Sequence, residues 1–201
     1  MSAITAATSA ASDAALSPEV RASVRYRTAE PEDGRAVHRL VDETGGLELN
    51  TGYAYVLLCD HFAATTVLAE SDGGLIGFVA AYVPPRRPDT VFVWQVGVHP
   101  DARGQGFASS VLDALISREA CRAVEYLEAT VSPSNEASRR LFESFAERHG
   151  APFVWSDGYP ASHFAGAHDP ENLIRIGPMR SPSAAAPTPL LPLLPDESDP
   201  T

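Results

Sequence analysis

Two spacings of apolar residues divide the middle of the chain. Alternation with period two reads as strand, and recurrence every three to four residues reads as helix. "VRYRTA" (24–29) alternates and predicts a short strand. "PEDGRAVHRLVDETG" (31–45) carries Pro31 and acids in a first turn and Gly45 at a stop, the marks of a helix. "YAYVLLCDHF" (53–62) predicts a second, shorter helix. "TTVLAES" (65–71) and "LIGFVAAYV" (75–83) predict strands joined at Asp72-Gly73-Gly74, a hairpin signal. "VFVWQVGV" (91–98) continues as strand. "FASSVLDALISREA" (107–120) sets Val111, Leu112, Leu115 and Ile116 on one helical stripe. "VEYLEATV" (124–131) is a strand, and "NEASRRLFESFAERHG" (135–150) is a helix with Asn135 at its cap and Gly150 past its end. "FVWSDG" (153–158) and "NLIRIGP" (172–178) close as strands. The order β-α-α-β-β-β-α-β-α-β-β predicts an α/β (α+β) fold with a mixed sheet: a hairpin part, then two crossover helices. It fits neither a doubly wound sheet nor a sandwich.

The flanks break this pattern. Residues 1–22 are rich in Ala, Ser and Thr, and residues 181–201 are rich in Pro; both are expected to be disordered tails around one domain, 23–180. A net charge of −11 and a pI near 4.9 argue against nucleic acid or an anionic membrane as partner, since each needs clustered Lys and Arg. No run of 18 apolar residues suggests a membrane span, and no basic residue precedes Arg21 as a secretory signal would require, so a cytoplasmic protein is expected. Cys59 and Cys121 form no CxxC and sit beside no His–Asp constellation, which favours buried thiols over nucleophiles. Histidines at 38, 61, 99, 149, 163 and 168 lack ligand spacing, so no metal is expected.

Candidate chemistry concentrates where the Val-rich strand gives way to "HPDARGQGFASS" (99–110). Glycines let the backbone bend and remove side chains that would obstruct a ligand. Amides in the first turn of a helix point outward, and Arg103 adds a full charge, so the turn can cradle a pyrophosphate. Packing alone could also call for these glycines. A P-loop is excluded, because no Lys-Ser/Thr follows. A dinucleotide fingerprint is only partly matched: Gly104 and Gly106 fit, but Ser109 takes the third position, and Glu125 could pass for the ribose-binding acid. The hairpin strands that precede the turn argue against that reading.

"V-x-V-x-P" followed by Arg103-x-x-Gly106-x-Ala108 resembles the acetyl-CoA signature of the GNAT N-acetyltransferases. Asn135-x-x-Ser138-x-x-Leu141-Phe142 resembles that family's second cofactor segment. The resemblance spans 23–180 and implies acetyl-CoA as co-substrate. It implies that the amides of Arg103, Gly104, Gln105, Gly106, Phe107 and Ala108 hold the pyrophosphate. It implies that the strands containing "WQVGV" and "YLEATV" part after Val96. Backbone groups of Val96 and Val98 would then bind pantetheine and polarise the thioester, Asn135 would bond the pantetheine arm, and Ser138 would join the cofactor site. Asn135 as a helix cap and the valines as core remain compatible readings. Phe142 departs from the Tyr many relatives place there to protonate the departing thiolate.

A narrower resemblance, to the L-2,4-diaminobutyrate acetyltransferases of ectoine biosynthesis, rests on four segments: 47–62, 92–106, 126–142 and 168–178. Glu48 and Thr51 stand where that family has Asp and Ser. It implies that Glu48, Asn50, Thr51, Tyr53, Trp94, His168 and Glu171 line the pocket for diaminobutyrate, a small molecule with two ammonium groups. The chemistry suits such a substrate: acids for the amines and an indole face for a cation. Glu171 or His168 would help remove a proton from the attacking amine, and Val96 N–H would stabilise the oxyanion. A homodimer is common in the family. Two alternatives stay open: an enzyme of the same superfamily acting on another small amine, and an acyl-CoA-binding module without turnover.

Overall fold

The computed structural model describes residues 24–72 and 74–179. The two expected tails lie outside them. In chain order the elements are β1 (Arg25–Thr28), α1 (Gly34–Thr44), α2 (Gly52–His61), β2 (Thr66–Ser71), β3 (Gly74–Tyr82), β4 (Thr90–Val98), α3 (Phe107–Ile116), β5 (Tyr126–Val131), α4 (Glu136–Arg148), β6 (Phe153–Tyr159) and β7 (Glu171–Ile176). This is the order the residue pattern predicts. Gly45 ends α1 at φ +62°, and the Asn135 side chain opens α4.

The strands form one seven-stranded sheet in the order β1-β2-β3-β4-β5-β7-β6. Among the described residues, only β4 and β5 run parallel. The insertion of β7 between β5 and β6 was not legible in the sequence. It buries Ile174 and Ile176 against the α3–α4 face and leaves β6 as an edge, with Val154 and Tyr159 exposed.

Each face of the sheet carries its own apolar cluster. Val37, Leu40 and Val41 of α1 and Tyr55, Leu58 and Cys59 of α2 pack on Leu68, Phe78 and Ala80. On the other face, Val111, Leu112 and Leu115 of α3 and Phe142, Phe145 and Ala146 of α4 pack on valines of β2 to β5 and on Ile174 and Ile176 of β7.

One irregularity in β4 shapes everything near it. Ala80 pairs with Gln95, but the next residue, Ala81, pairs with Val93. Trp94 is therefore an extra residue, a β-bulge. Val93 and Val96 lie on the α3–α4 face despite their odd spacing, and Trp94 packs against the α1–α2 cluster.

Candidate active site

β4 and β5 are in register from Thr90↔Tyr126 to Val93↔Ala129, and there their pairing stops. The parting therefore comes at Val93, earlier than the expected point after Val96, because the bulge at Trp94 bends the strand there. Beyond it β5 stays with β7, pairing Thr130 with Leu173 and Val131 with Asn172. β4 stays with β3 through Val98. The direction of the β4 amides follows from one bond: His99 N–H donates to Ile76 O at 2.8 Å, toward β3. Backbone groups alternate sides along a strand. Gly97 and Gln95 thus face β3, and the N–H and C=O of Val96 and Val98 face the gap.

The gap runs toward the glycine turn. Gly104 and Gly106 have φ of +71° and +86°, conformations that side chains resist. A Cβ at either would meet nothing within 4 Å, so packing does not explain these glycines. Among the described residues, the amides of Gly104, Gly106, Phe107 and Ala108 donate to no carbonyl or side chain. Open space over a row of outward amides at a helix start fits a diphosphate.

Arg103 differs from expectation. Its amide closes the preceding turn on Pro100 O at 3.2 Å. Its guanidinium donates to Thr44 O at 2.5 Å, at the C-terminus of α1, where carbonyls lack helical partners. Partial burial pulls its pKa down from the usual guanidinium value. The row of available amides therefore starts at Gly104, and the Arg103 charge serves α1. Gln105 donates from Nε2 to Asp101 O at 3.1 Å. Phe107 is buried in the α3–α4 cluster.

Asn135 Oδ1 accepts from the Ser138 amide at 3.1 Å, so its helix-cap role is present; Ser138 is buried. Phe142 is fully buried among core residues. Burial also raises both thiols, Cys59 and Cys121, to a pKa of about 11, which keeps them neutral and unreactive near pH 7.

The candidate amine-binding residues come from both sides of the gap. On the β4 side, Trp94 stands 6.4 Å, ring to ring, from Tyr55. Gln95 Nε2 donates to Glu48 O at 2.9 Å and seats the 47–50 segment on the strand. Asn50 Nδ2 donates to the same carbonyl at 3.4 Å. Thr51 caps α2, its hydroxyl accepting from Ala54 N–H at 3.3 Å. Tyr53 is 70% exposed on the outer side of α2, whereas Tyr55 is fully buried and bridges Glu48 O and Asn50 N. On the β5–β7 side, His168 stacks on Phe164 with centroids 4.0 Å apart and bonds the Asp169 carbonyl. His168, Ser132, Ala167 and Asp169 line a cleft of about 500 Å³ at the end of β5. Glu171, the first residue of β7, is 1% exposed. Among the described residues, no three His, Cys, Asp or Glu side chains gather as a metal site.

Sequence reasoning missed Tyr55, Gln95 and Ser132. A lone amide within "FVWQVGV" was the available signal for Gln95; nothing in the pattern singled out Ser132.

Parted parallel strands, main-chain donors in the gap and a glycine turn opening a helix define a class of acyl-CoA-dependent transferase. The model of the acetyltransferase (GNAT) family matches residues 35–146. The L-2,4-diaminobutyric acid acetyltransferase of Bordetella parapertussis is 48% identical over 164 residues, 80% of this chain and 88% of that protein. That of Marinococcus halophilus is 45% identical over 148 residues, covering 73% and 86%. A solved diaminobutyrate acetyltransferase from Paenibacillus lautus, in complex with its substrate L-2,4-diaminobutyric acid and coenzyme A, superposes with a TM-score of 0.75. It is 46% identical and covers 78% of this chain and 95% of that one. This chain belongs to the GNAT acetyltransferases and, within them, to the L-2,4-diaminobutyric acid acetyltransferase family.

Proposed function

We propose that this protein transfers the acetyl group of acetyl-CoA to the 4-amino group of L-2,4-diaminobutyrate, in ectoine biosynthesis. One observation carries the reading most directly. The strands part at Val93 and Ala129, which turns the Val96 and Val98 amides into a gap leading to the glycine turn.

In this reading the amides of Gly104, Gly106, Phe107 and Ala108 hold the diphosphate. Val96 and Val98 orient the pantetheine arm. The 4-amine enters protonated, since such amines have pKa values of about 9 to 10. Glu171 accepts its proton, directly or through water, and His168 is the second candidate for that transfer. The nitrogen then attacks the carbonyl carbon. The C–N bond forms, the C–S bond breaks, CoA departs as a thiolate, and the nitrogen gives up its second proton to water, leaving the neutral amide. The Val96 N–H stabilises the charge that develops on the oxygen. Phe142 offers no proton for the thiolate, which leaves without help from that position. Glu48, Asn50, Thr51, Tyr53 and Trp94 hold the 2-amine and carboxylate, and so set the 4-position against the thioester. A cytoplasmic homodimer is part of the same proposal.

The test is thiol release from acetyl-CoA with diaminobutyrate, ornithine or lysine, and NMR of the product. Amine-dependent release that is fastest with diaminobutyrate, and a product acetylated at N4, is expected. Equal rates with all three amines would point to a broader amine acetyltransferase.

A further inference from the structure

The buried amide of Gln95 has no role in the chemistry just described. It is fully buried in β4, directly after the extra residue Trp94. Its Nε2 donates to Glu48 O at 2.9 Å. A second donor, Tyr55 Oη, reaches the same carbonyl at 3.4 Å and accepts from Asn50 N–H at 3.2 Å. Gly97, two residues on, lets Leu47 approach: a Cβ there would lie 2.8 Å from Leu47 Cδ1. The 47–50 segment is thus seated on the strand through partly buried polar contacts. The arrangement is costly for folding alone. Among the described residues, Gln95 Oε1 is buried and meets no donor, a penalty an apolar side chain of the same length would avoid. An amide kept under these terms is placed for what its other end holds.

We propose that Gln95 is a positioning residue for the amine. By fixing the Glu48 carbonyl to the bulged part of β4, it holds the Glu48 and Asn50 side chains at a set distance from the gap where the thioester is attacked. Tyr55 completes the same clamp. The link sets the length of diamine that fits, so it governs selectivity as well as affinity. This inference rests on the reading of Glu48 as an amine-binding residue.

The experiment compares Gln95→Met, Glu48→Ala and their double variant. It measures KM for diaminobutyrate, the Kd of acetyl-CoA by calorimetry, and kcat/KM for diaminobutyrate relative to ornithine. Gln95→Met is expected to raise the diaminobutyrate KM about tenfold, the loss of one oriented polar contact. It should shift the acetyl-CoA Kd by less than about twofold and reduce the preference over ornithine. The double variant should be no worse than Glu48→Ala alone, as expected for residues acting through one another. A raised KM in Glu48→Ala with an unchanged KM in Gln95→Met would overturn this inference alone. So would losses that add in the double variant. An unchanged KM in Glu48→Ala would overturn the amine reading and this inference with it. Should Gln95→Met fail to fold, Tyr55→Phe removes the second donor to the same carbonyl. A raised amine KM with an unchanged acetyl-CoA Kd then supports the clamp, and an unchanged KM overturns it.

Discussion

The two ends of the candidate site are built by different means. The end proposed for the diphosphate is one short run of backbone, Gly104 to Ala108, in which the glycines matter for what they lack. The end proposed for the amine draws on side chains of distant segments: Glu48 and Asn50 before α2, Trp94 in β4, His168 in the loop before β7 and Glu171 at its start. Backbone recognition depends on conformation and open space. Side-chain recognition depends on tertiary contacts such as those of Gln95 and Tyr55 with Glu48 O. The first end should therefore be sensitive to any added Cβ, and the second to lost functional groups.

The largest effect should come from adding bulk to the backbone end. Gly106→Val places a β-branched residue at φ +86° and fills space that is open beside the turn. Acetyl-CoA binding should weaken more than about a hundredfold in calorimetry, with far-UV circular dichroism little changed. Next is Glu171, the proposed proton acceptor. Glu171→Gln should lower kcat about 10²-fold with little effect on the acetyl-CoA Kd, and the loss should shrink as pH rises toward the amine's own pKa, where free base enters unaided. A pH-independent loss would assign Glu171 to structure instead. Trp94→Ala should raise the amine KM about tenfold and the acetyl-CoA KM less than about twofold; equal rises would erase the contrast between the two ends.

A smaller effect is expected away from both ends. The Arg27 guanidinium bonds Asp33 at 2.6 Å and Glu70 at 2.6 Å. These bonds hold both carboxyls below the usual carboxylate range. Their folded pKa values are depressed, so their contribution is present above the unfolded values near about 4 and is lost as pH falls through the lower folded ones. Thermal melts of Arg27→Ala should sit a few degrees below the parent at pH 7 and converge with it in acid. The smallest effect belongs to the thiols. Cys59→Ala and Cys121→Ala should keep kcat within about twofold, because neither buried thiol forms an acyl-enzyme.

The same contrast governs how much of the fold and the site is legible in the sequence. Strand and helix order follows from local periodicity, and the glycine turn from a motif contained in one run of chain. The β5-β7-β6 order, the use of Arg103 on Thr44 O and the choice of Tyr55 over Tyr53 as the buried ring depend on contacts between remote residues. No local spacing records them. The bulge is hidden for a related reason: "FVWQVGV" shows its valines, but only pairing with Ala80 and Ala81 shows which residue is surplus.

That surplus residue sets a different rule for change in β4. Without Trp94, Val93, Gln95 and Val96 would follow one another in plain alternation against Ala81, Ala80 and Val79. The strand would regain a straight path and could continue zipping onto β5. A protein shortened by this one position should keep its sheet paired yet turn over no thioester. Along this stretch, tolerance is decided by the count of residues before it is decided by their kinds.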